Sequence, residues 1–295
     1  MIIDEVDGKE DVRLSVENMK KMTRQEFRDN SLEMLKFVDT FCENHNIQYM
    51  LYAGTLLGCI RHKGFIPWDD DVDICMIRSE YERFERLFEE TERYELQSLR
   101  TVKGYRLPYA KIRDKRTLKI DKITNSPYYP EQGLDIDIFI IDGYANNELV
   151  RKVHFKIQNR LFTLYQISLE ASSSGLLKSL LLKLFRITFN PNIMAKIVNW
   201  HAGFWKTENT EFSGCTVGLY RHKMDVCRST SHLMTKRYYF EGLNLKCPCD
   251  PHDVLTSLYG KTYMTPPPEK DRESTHTCFI VWKNCENGDY ENYLG

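Results

Sequence analysis

Apolar and polar positions along this chain change period several times, and the changes mark its elements. In residues 24–45, Phe27, Met34, Leu35, Val38, Phe41 and Cys42 recur at helical spacing and predict a helix with one buried face. The largely apolar run 47–53 reads as a strand ending in the small-residue turn Gly54-Thr55, where a short helix can open. Val72, Ile74 and Met76 then alternate with Asp71, Asp73 and Cys75, the period of a half-buried strand with its carboxylates on one face. Ser79 followed by Glu82 has capping-box spacing and predicts a helix over 80–90 whose Phe84, Leu87 and Phe88 pack on the sheet. Residues 94–99 and 107–113 read as strands, and 134–141 as the strongest one, with Asp135 and Asp137 on one face and Ile136, Ile138 and Ile140 on the other. A helix is expected over 149–169, a break at Ser172-Ser173-Ser174-Gly175, and a second helix from Leu176 to about Phe189. Asn190-Pro191-Asn192 should end that helix, because the residue before a proline is steered away from helical geometry. Strand-like pieces in 238–246, a helix over 251–259 and a rigid Pro266-Pro267-Pro268 segment complete the chain. The class expected is α/β with a mixed sheet.

Composition narrows the setting. The 295 residues, 42% of them hydrophobic, can bury a real core. The N-terminal stretch is acidic, without the basic start and apolar run of a signal peptide. No run reaches the roughly 18 apolar residues of a spanning helix. Nine scattered cysteines fit a reducing compartment, so a cytoplasmic protein is expected. The formal net charge of −1 offers nucleic acid no strong attraction, so no nucleic-acid partner is expected. That average hides an asymmetry: residues 151–206 carry nine Lys and Arg against Glu170 alone. In 176–189, Lys178, Lys183 and Arg186 gather on one side of a helix, which suits peripheral contact with an anionic membrane; a core helix with a solvated face is the competing reading. The organisation expected is an acidic leader over 1–20, a catalytic core over 21–145, a basic helical insertion over 146–206, and a C-terminal part of the same catalytic domain over 207–295.

The candidate chemistry centres on Asp69, Asp70, Asp71 and Asp73, four carboxylates within five residues. Like charges so close are costly unless a cation or a set of donors compensates them. Asp71 and Asp73 are the best-placed metal ligands, with Asp69 and Asp70 as capping or orienting groups. Upstream, the GTLLG run from Gly54 to Gly58 follows a strand, and backbone amides at such a turn can accept phosphate. Gly54, Thr55, Leu56 and Gly58 are therefore candidate donor-binding residues. Arg61 is the candidate for bidentate contact with a diphosphate, and Lys111 and Arg113 could approach it from a neighbouring strand. Cys247, Cys249 and His252 lack ordinary zinc-knuckle spacing and read as free thiols with a nearby histidine.

These motifs resemble the LicD phosphotransferases, relatives of the fukutin-type proteins within the nucleotidyltransferase-fold superfamily. The similarity runs from Tyr49 through GTLLG, Arg61-His62-Lys63-Gly64, Ile66-Pro67-Trp68 and the acidic cluster to Tyr81. Leu134 to Phe139 resembles the family's second acidic strand, and Tyr259-Gly260 with Pro266-Pro267-Pro268 its C-terminal motif; residues 144–238 carry no recognised match. The resemblance implies a nucleotidyltransferase-type mixed sheet with a helical insertion and a closing C-terminal region. It also implies a transferase that uses Mg2+ or Mn2+ to move a phospho-alcohol, most often phosphocholine, from a CDP-activated donor such as CDP-choline. The acceptor implied is a sugar hydroxyl of a cell-surface polysaccharide, teichoic acid or lipopolysaccharide precursor, in some cases lipid-linked. Asp137 is the third metal ligand implied, with Asp135 as the competing choice, and one of these carboxylates would take the acceptor's proton. A nucleotidyltransferase that releases pyrophosphate, and a non-catalytic scaffold of a glycan assembly complex at the membrane, are the alternative readings.

Overall fold

The structure is a computed structural model that describes residues 19–121, 126–127, 131–169, 189–217, 226–272 and 278–286. Its first helix, α1 (Arg24–Asn44), starts at a cap that the sequence reading passed over. Thr23 accepts from the Glu26 amide, and the Glu26 carboxylate accepts in return from the Thr23 amide at 2.8 Å. Phe27, Met34, Leu35, Val38 and Cys42 are its buried stripe, as the spacing predicts. Strand β2 (Met50–Leu51) leads into α2 (Ala53–His62), then β3 (Asp73–Ile77), α3 (Arg78–Leu87), β4 (Tyr94–Gln97), β5 (Ala110–Asp114) and the long β8 (Asp135–Tyr144).

These strands form a mixed seven-stranded sheet with β8 at its centre. β3 pairs with β8 in parallel, while β5 and β2 run antiparallel to β8 and β3 respectively. β9 (Phe212–Gly214) continues from the far end of β8, and β10 (Cys227–Arg228) pairs with β9. All five residues of β3 are buried, so this strand is covered on both faces rather than half-exposed.

A second sheet brings the chain's two described ends together. β1 (Met19–Lys21) pairs with β13 (Cys278–Glu286), which pairs with β6 (Thr117–Asp121), and β7 (Ser126–Pro127) closes the row. None of these four strands is foreseen by the hydrophobic pattern. The hairpin of β11 (Thr235–Phe240) and β12 (Leu243–Pro248) turns through Glu241 (φ 46°) and Gly242 (φ 87°), both in the left-handed region that two-residue hairpins favour. α6 (Ser229–Leu233) and α7 (Pro251–Tyr259) pack beside it, and Asp250 caps α7 by accepting from the His252 and Asp253 amides.

Two expectations about helix ends are corrected. α3 begins at Arg78, not Glu80, with no side-chain cap; the Ser79 hydroxyl instead bonds Glu208, and Leu87 faces solvent. Asn190-Pro191 starts a helix, a role the sequence reading did not give it. The Asn190 side chain accepts from the Asn192 amide and Pro191 occupies the first turn of α5 (Pro191–Ala202), where a missing N–H costs nothing. The predicted break at 172–175 and the predicted helix over 176–189 lie outside the described residues, except for Phe189.

α4 (Glu148–Leu169) and α5 run antiparallel and share their own small core of Phe162, Tyr165, Met194, Ala195 and Val198. His154 stacks on His201 with ring centroids 4.3 Å apart, and Gln158 Nε2 donates to the Val198 carbonyl at 3.1 Å. One buried ion pair fixes this helical pair to the sheet. Arg78 donates to both oxygens of fully buried Asp142, at 2.5 and 2.7 Å, and to Asn199 Oδ1 at 2.9 Å. A Cβ on Gly203 would come within 2.5 Å of that guanidinium, so only glycine fits beneath it.

Candidate active site

Three hydrogen bonds at Asp73 and the adjoining Val72 position the acidic cluster. Tyr52 N donates to Asp73 O at 3.0 Å, Asp73 N donates to Thr55 Oγ1 at 2.8 Å, and Asp137 N donates to Val72 O at 2.9 Å. The strand–turn–helix of β2 and α2, the acidic turn and the central strand β8 are thereby tied together. In the parallel ladder Asp73 and Asp137 are direct partners, so their side chains emerge side by side on one face. Asp135 lies on the same face two residues earlier.

Beside these strands is a cleft of about 400 Å3. Asp69, Asp70, Asp71, Asp135 and Asp137 contribute carboxylates to its lining, against the cations Arg24, Lys111 and Lys119. Lys111 Nζ is the central donor: it pairs with Asp137 and lies 3.1 Å from Asp135 Oδ1. Lys119 Nζ reaches the other oxygen of Asp135 at 2.8 Å. The carboxylates respond differently. Burial raises the Asp135 pKa, but the two lysines outweigh it and hold this group below the usual range. Burial, followed by the charges of Asp71, Asp137 and Asp69, drives the Asp73 carboxyl well above it. Burial also lifts Asp137, against the pull of Lys111. For Lys111 burial works against the charge, yet Asp135 and Asp137 keep its pKa well above the ordinary value.

This donor set suits a hard divalent cation, which prefers carboxylate oxygens. Among the described residues no three acidic, His or Cys side chains already stand at ligand spacing. Lys111 paired with Asp137 fills part of that role. Burial and then the crowding of like charges raise Asp73, and a divalent ion at this face would relieve the crowding, so the carboxylates present suit one.

Not every candidate reaches the cleft. Gly54 makes room for a neighbour, since a Cβ there would stand 2.8 Å from Asp69 Oδ2. Its amide and that of Thr55 lie in the first turn of α2, where helix geometry leaves N–H groups without intrahelical acceptors. Leu56 and Gly58 are corrections. Leu56 is fully buried and its amide is already bonded to Tyr52 O at 2.9 Å. Gly58 is buried inside α2, where a Cβ would approach Gly64 O to 2.5 Å, so its lack of a side chain serves chain packing. Arg61 stands at the far end of α2, about 10 Å along the axis from Gly54. Its Nη1 donates to the Tyr263 carbonyl at 2.9 Å, and it is outside the cleft lining. Arg113 turns to Glu95 and Glu131 at 2.7 and 2.8 Å.

Sequence reasoning missed Lys119, Arg24 and the β13 residues Phe279 and Ile280, all of which line the cleft. The alternation in TLKID was a usable signal for Lys119. Arg24 and β13 are brought in by long-range pairing that no local pattern records. Cys247, Cys249 and His252 do not converge. The Cys247 sulfur meets Cys59 at 3.8 Å, Cys249 donates to Thr230 O at 3.5 Å, and His252 pairs with the Tyr263 hydroxyl.

A strand–turn–helix leading into adjacent carboxylates on parallel strands defines a nucleotidyltransferase-type catalytic domain. The comparisons agree with that class. The family profile described as LicD/FKTN/FKRP, nucleotidyltransferase domain, matches residues 46–171. Lipopolysaccharide cholinephosphotransferase LicD of Haemophilus influenzae is 34% identical over 269 residues, covering 88% of this chain and 97% of that protein. An uncharacterised protein of Rickettsia typhi is 31% identical over 102 residues, 34% of this chain and 30% of its own length. One of Rickettsia prowazekii is 42% identical over 64 residues, 21% and 24% of the two chains. The chain belongs to the LicD family.

Proposed function

We propose that this enzyme transfers phosphocholine from CDP-choline to a sugar hydroxyl of a cell-surface polysaccharide, teichoic acid or lipopolysaccharide precursor. The observation that carries the reading is the register of Asp73 and Asp137, which sets the buried Asp73 carboxylate, itself outside the cleft lining, beside the half-buried Asp137 that lines the cleft, in a chain similar along most of its length to a cholinephosphotransferase. In the reaction the acceptor oxygen bonds to the phosphorus that carries choline, the anhydride bond to the nucleotide breaks, CMP leaves, and the hydroxyl proton passes to a carboxylate. Asp71, Asp73 and Asp137 would hold Mg2+ or Mn2+, which when bound offsets the charge of the donor diphosphate.

Each of the chain's own groups has a distinct part. Lys111 orients Asp137, and Asp135, kept ionised by Lys111 and Lys119, holds those lysines in the cleft. Thr55 fixes the Asp73 backbone through its hydroxyl. The first-turn amides of Gly54 and Thr55, with Asp69 packed beside Gly54, would suit a phosphate oxygen. Asp137 is favoured over Asp135 as third ligand because it is the direct partner of Asp73, while Asp135 is engaged by two lysines. Arg61 serves to latch the C-terminal segment through Tyr263.

The test is product analysis with CDP-choline, Mg2+ and a saccharide acceptor. CMP and a phosphocholine-bearing saccharide are expected, with loss of turnover by orders of magnitude in a folded Asp73→Asn protein. Release of pyrophosphate from a nucleoside triphosphate instead would establish the nucleotidyltransferase alternative. Near-normal turnover in Asp73→Asn would remove Asp73 from the site.

A further inference from the structure

The helical pair carries an exposed surface that the transfer reaction does not use. On α4, Leu149, Val153 and Ile157 are exposed; on α5, Ile193, Ile197 and Trp200 are exposed, and Phe204 follows just beyond its end. Trp200 is 71% accessible and Phe204 64%, which is unusual for the largest apolar side chains. The two rows face the same way. The contacts of His154 with His201 and of Gln158 with Val198 fix the helices as antiparallel and define the line along which they meet. At about 100° per residue, both apolar rows lie on the same rotational side of that line, and in an antiparallel pair equal senses of rotation point to one side. Asn192, Asn199 and Gly203, which face Tyr105, Pro108 and Arg78, lie on the opposite side. The result is one apolar face turned away from the sheet.

On the two helices its border is basic, while Glu82 and Glu85 line the cleft beside Trp200. Lys156, Arg160, Lys196 and Lys206 are exposed around it. Glu148 is the one acidic residue of α4 and is paired with Lys152, and α5 has none. A second copy of this face would bring like charges together. An anionic lipid surface complements it on both counts, with apolar residues entering the headgroup boundary, cations meeting the phosphates, and Trp200 at the level where indole rings favour the interface.

We propose that the α4–α5 face docks the protein on an anionic bilayer. Trp200 also borders a second cleft of about 420 Å3 that reaches Tyr109, a residue shared with the carboxylate cleft. No helix among the described residues is long and apolar enough to cross a membrane. The docking goes beyond the transfer reaction and does not depend on which alcohol or glycan is used.

The experiment is co-sedimentation of the full chain with vesicles of phosphatidylcholine alone or with phosphatidylserine, across a salt series. Wild type should bind the anionic vesicles at low salt and be released as salt rises. Removing three charges in Lys156→Gln/Arg160→Gln/Lys196→Gln should weaken binding about a hundred-fold, at the usual worth of a basic residue near an anionic surface. Trp200→Ser/Phe204→Ser should also release the protein, without a change in circular dichroism because both residues are exposed. Failure of wild type to bind at low salt, or equal binding by all three proteins, overturns the proposal. So does a wild-type dimer in sedimentation equilibrium that the Trp200→Ser/Phe204→Ser variant abolishes, since the face would then be a protein interface.

Discussion

Gly58→Ala separates two meanings of the glycine run that opens α2. If Gly58 served to approach phosphate, alanine would raise helix stability by about 1 kcal/mol and weaken donor binding. The packing points the other way. A Cβ at Gly58 would stand 2.5 Å from Gly64 O and 3.3 Å from the Ile66 amide, both backbone atoms. That backbone has little room to move. Gly64 N reaches Gly58 O at 3.4 Å, Lys63 ends the helix at φ 61°, and Lys63 O accepts from Glu241 N of the hairpin at 3.0 Å. Gly64 is itself clamped, because a Cβ there would fall 2.1 Å from Glu241 Oε1. Overpacking of this kind costs about 1–3 kcal/mol and more where the neighbours are rigid, enough to exceed the helix gain. The net loss should be about 1–2 kcal/mol, a fall in Tm of about 2–3 °C for a chain of this size. Gly64→Ala meets a flexible side chain that can swing away, so it should cost less. Thermal unfolding followed by circular dichroism, paired with calorimetric titration of CDP-choline, reads both quantities. A Gly58→Ala protein as stable as wild type with weakened donor affinity would refute the packing account and restore Gly58 to the phosphate site.

Three further outcomes follow from named contacts. Thr55→Val keeps the shape but leaves the buried Asp73 amide without its acceptor, which should cost about 1–3 kcal/mol and lower turnover, while Thr55→Ser retains most of both; equal behaviour of the two variants in urea unfolding and in the CMP assay would exclude a role for the hydroxyl. Asp142→Asn strands Arg78 in a mostly buried setting and should cost about 3 kcal/mol, whereas Arg78→Met/Asp142→Leu should recover much of the loss; a double variant no better than the single one would show that the pair itself stabilises the fold. Burial pushes the His232 imidazole down to about 4, so the folded protein resists a proton that the unfolded chain accepts near 6.5, and stability should fall as pH drops from about 6.5 to 4. At about 1.4 kcal/mol per unit the contribution approaches 3 kcal/mol, and urea midpoints of wild type and His232→Asn across that range should converge towards low pH; parallel curves would remove His232 as a cause.

The sequence made the active-site strand legible because its signal is local. Alternation over 71–76 and 134–141 gives each strand its face, and parallel pairing then sets Asp73 beside Asp137. The apolar stripe of α1 is equally local. What was illegible depends on partners distant in the chain. β1, β6 and β13 are short or irregular in pattern and become strands only because they pair with one another, so Lys119 and the β13 residues of the cleft stayed hidden. The capping reading at Ser79 failed because its hydroxyl found Glu208, a residue 129 positions away. Asn190-Pro191 was ambiguous in principle: the bias against helix falls on the residue before proline, and that residue is also where a new helix is capped.

The glycine-rich run and the basic tetrapeptide after it resemble a phosphate site in sequence, yet much of their composition answers a packing problem. Three chain segments meet at the C-terminal end of α2, away from the cleft lining: the end of α2 itself, the turn carrying Lys63 and Gly64, and the tip of the β11–β12 hairpin. Gly58 admits the Gly64 carbonyl, Gly64 admits the Glu241 carboxylate, and that carboxylate accepts from the Phe65 amide at 3.3 Å. Phe65 is thereby directed onto Phe240, with ring centroids 4.9 Å apart, and the chain that continues through Trp68 delivers the acidic turn to β8. Like-charged carboxylates repel, so a flexible turn would splay them. Here the turn is held at one end by this glycine junction and at the other by the Thr55 and Val72 bonds around Asp73. The repulsion is therefore retained in the folded state, where it adds to burial in raising the Asp73 carboxyl.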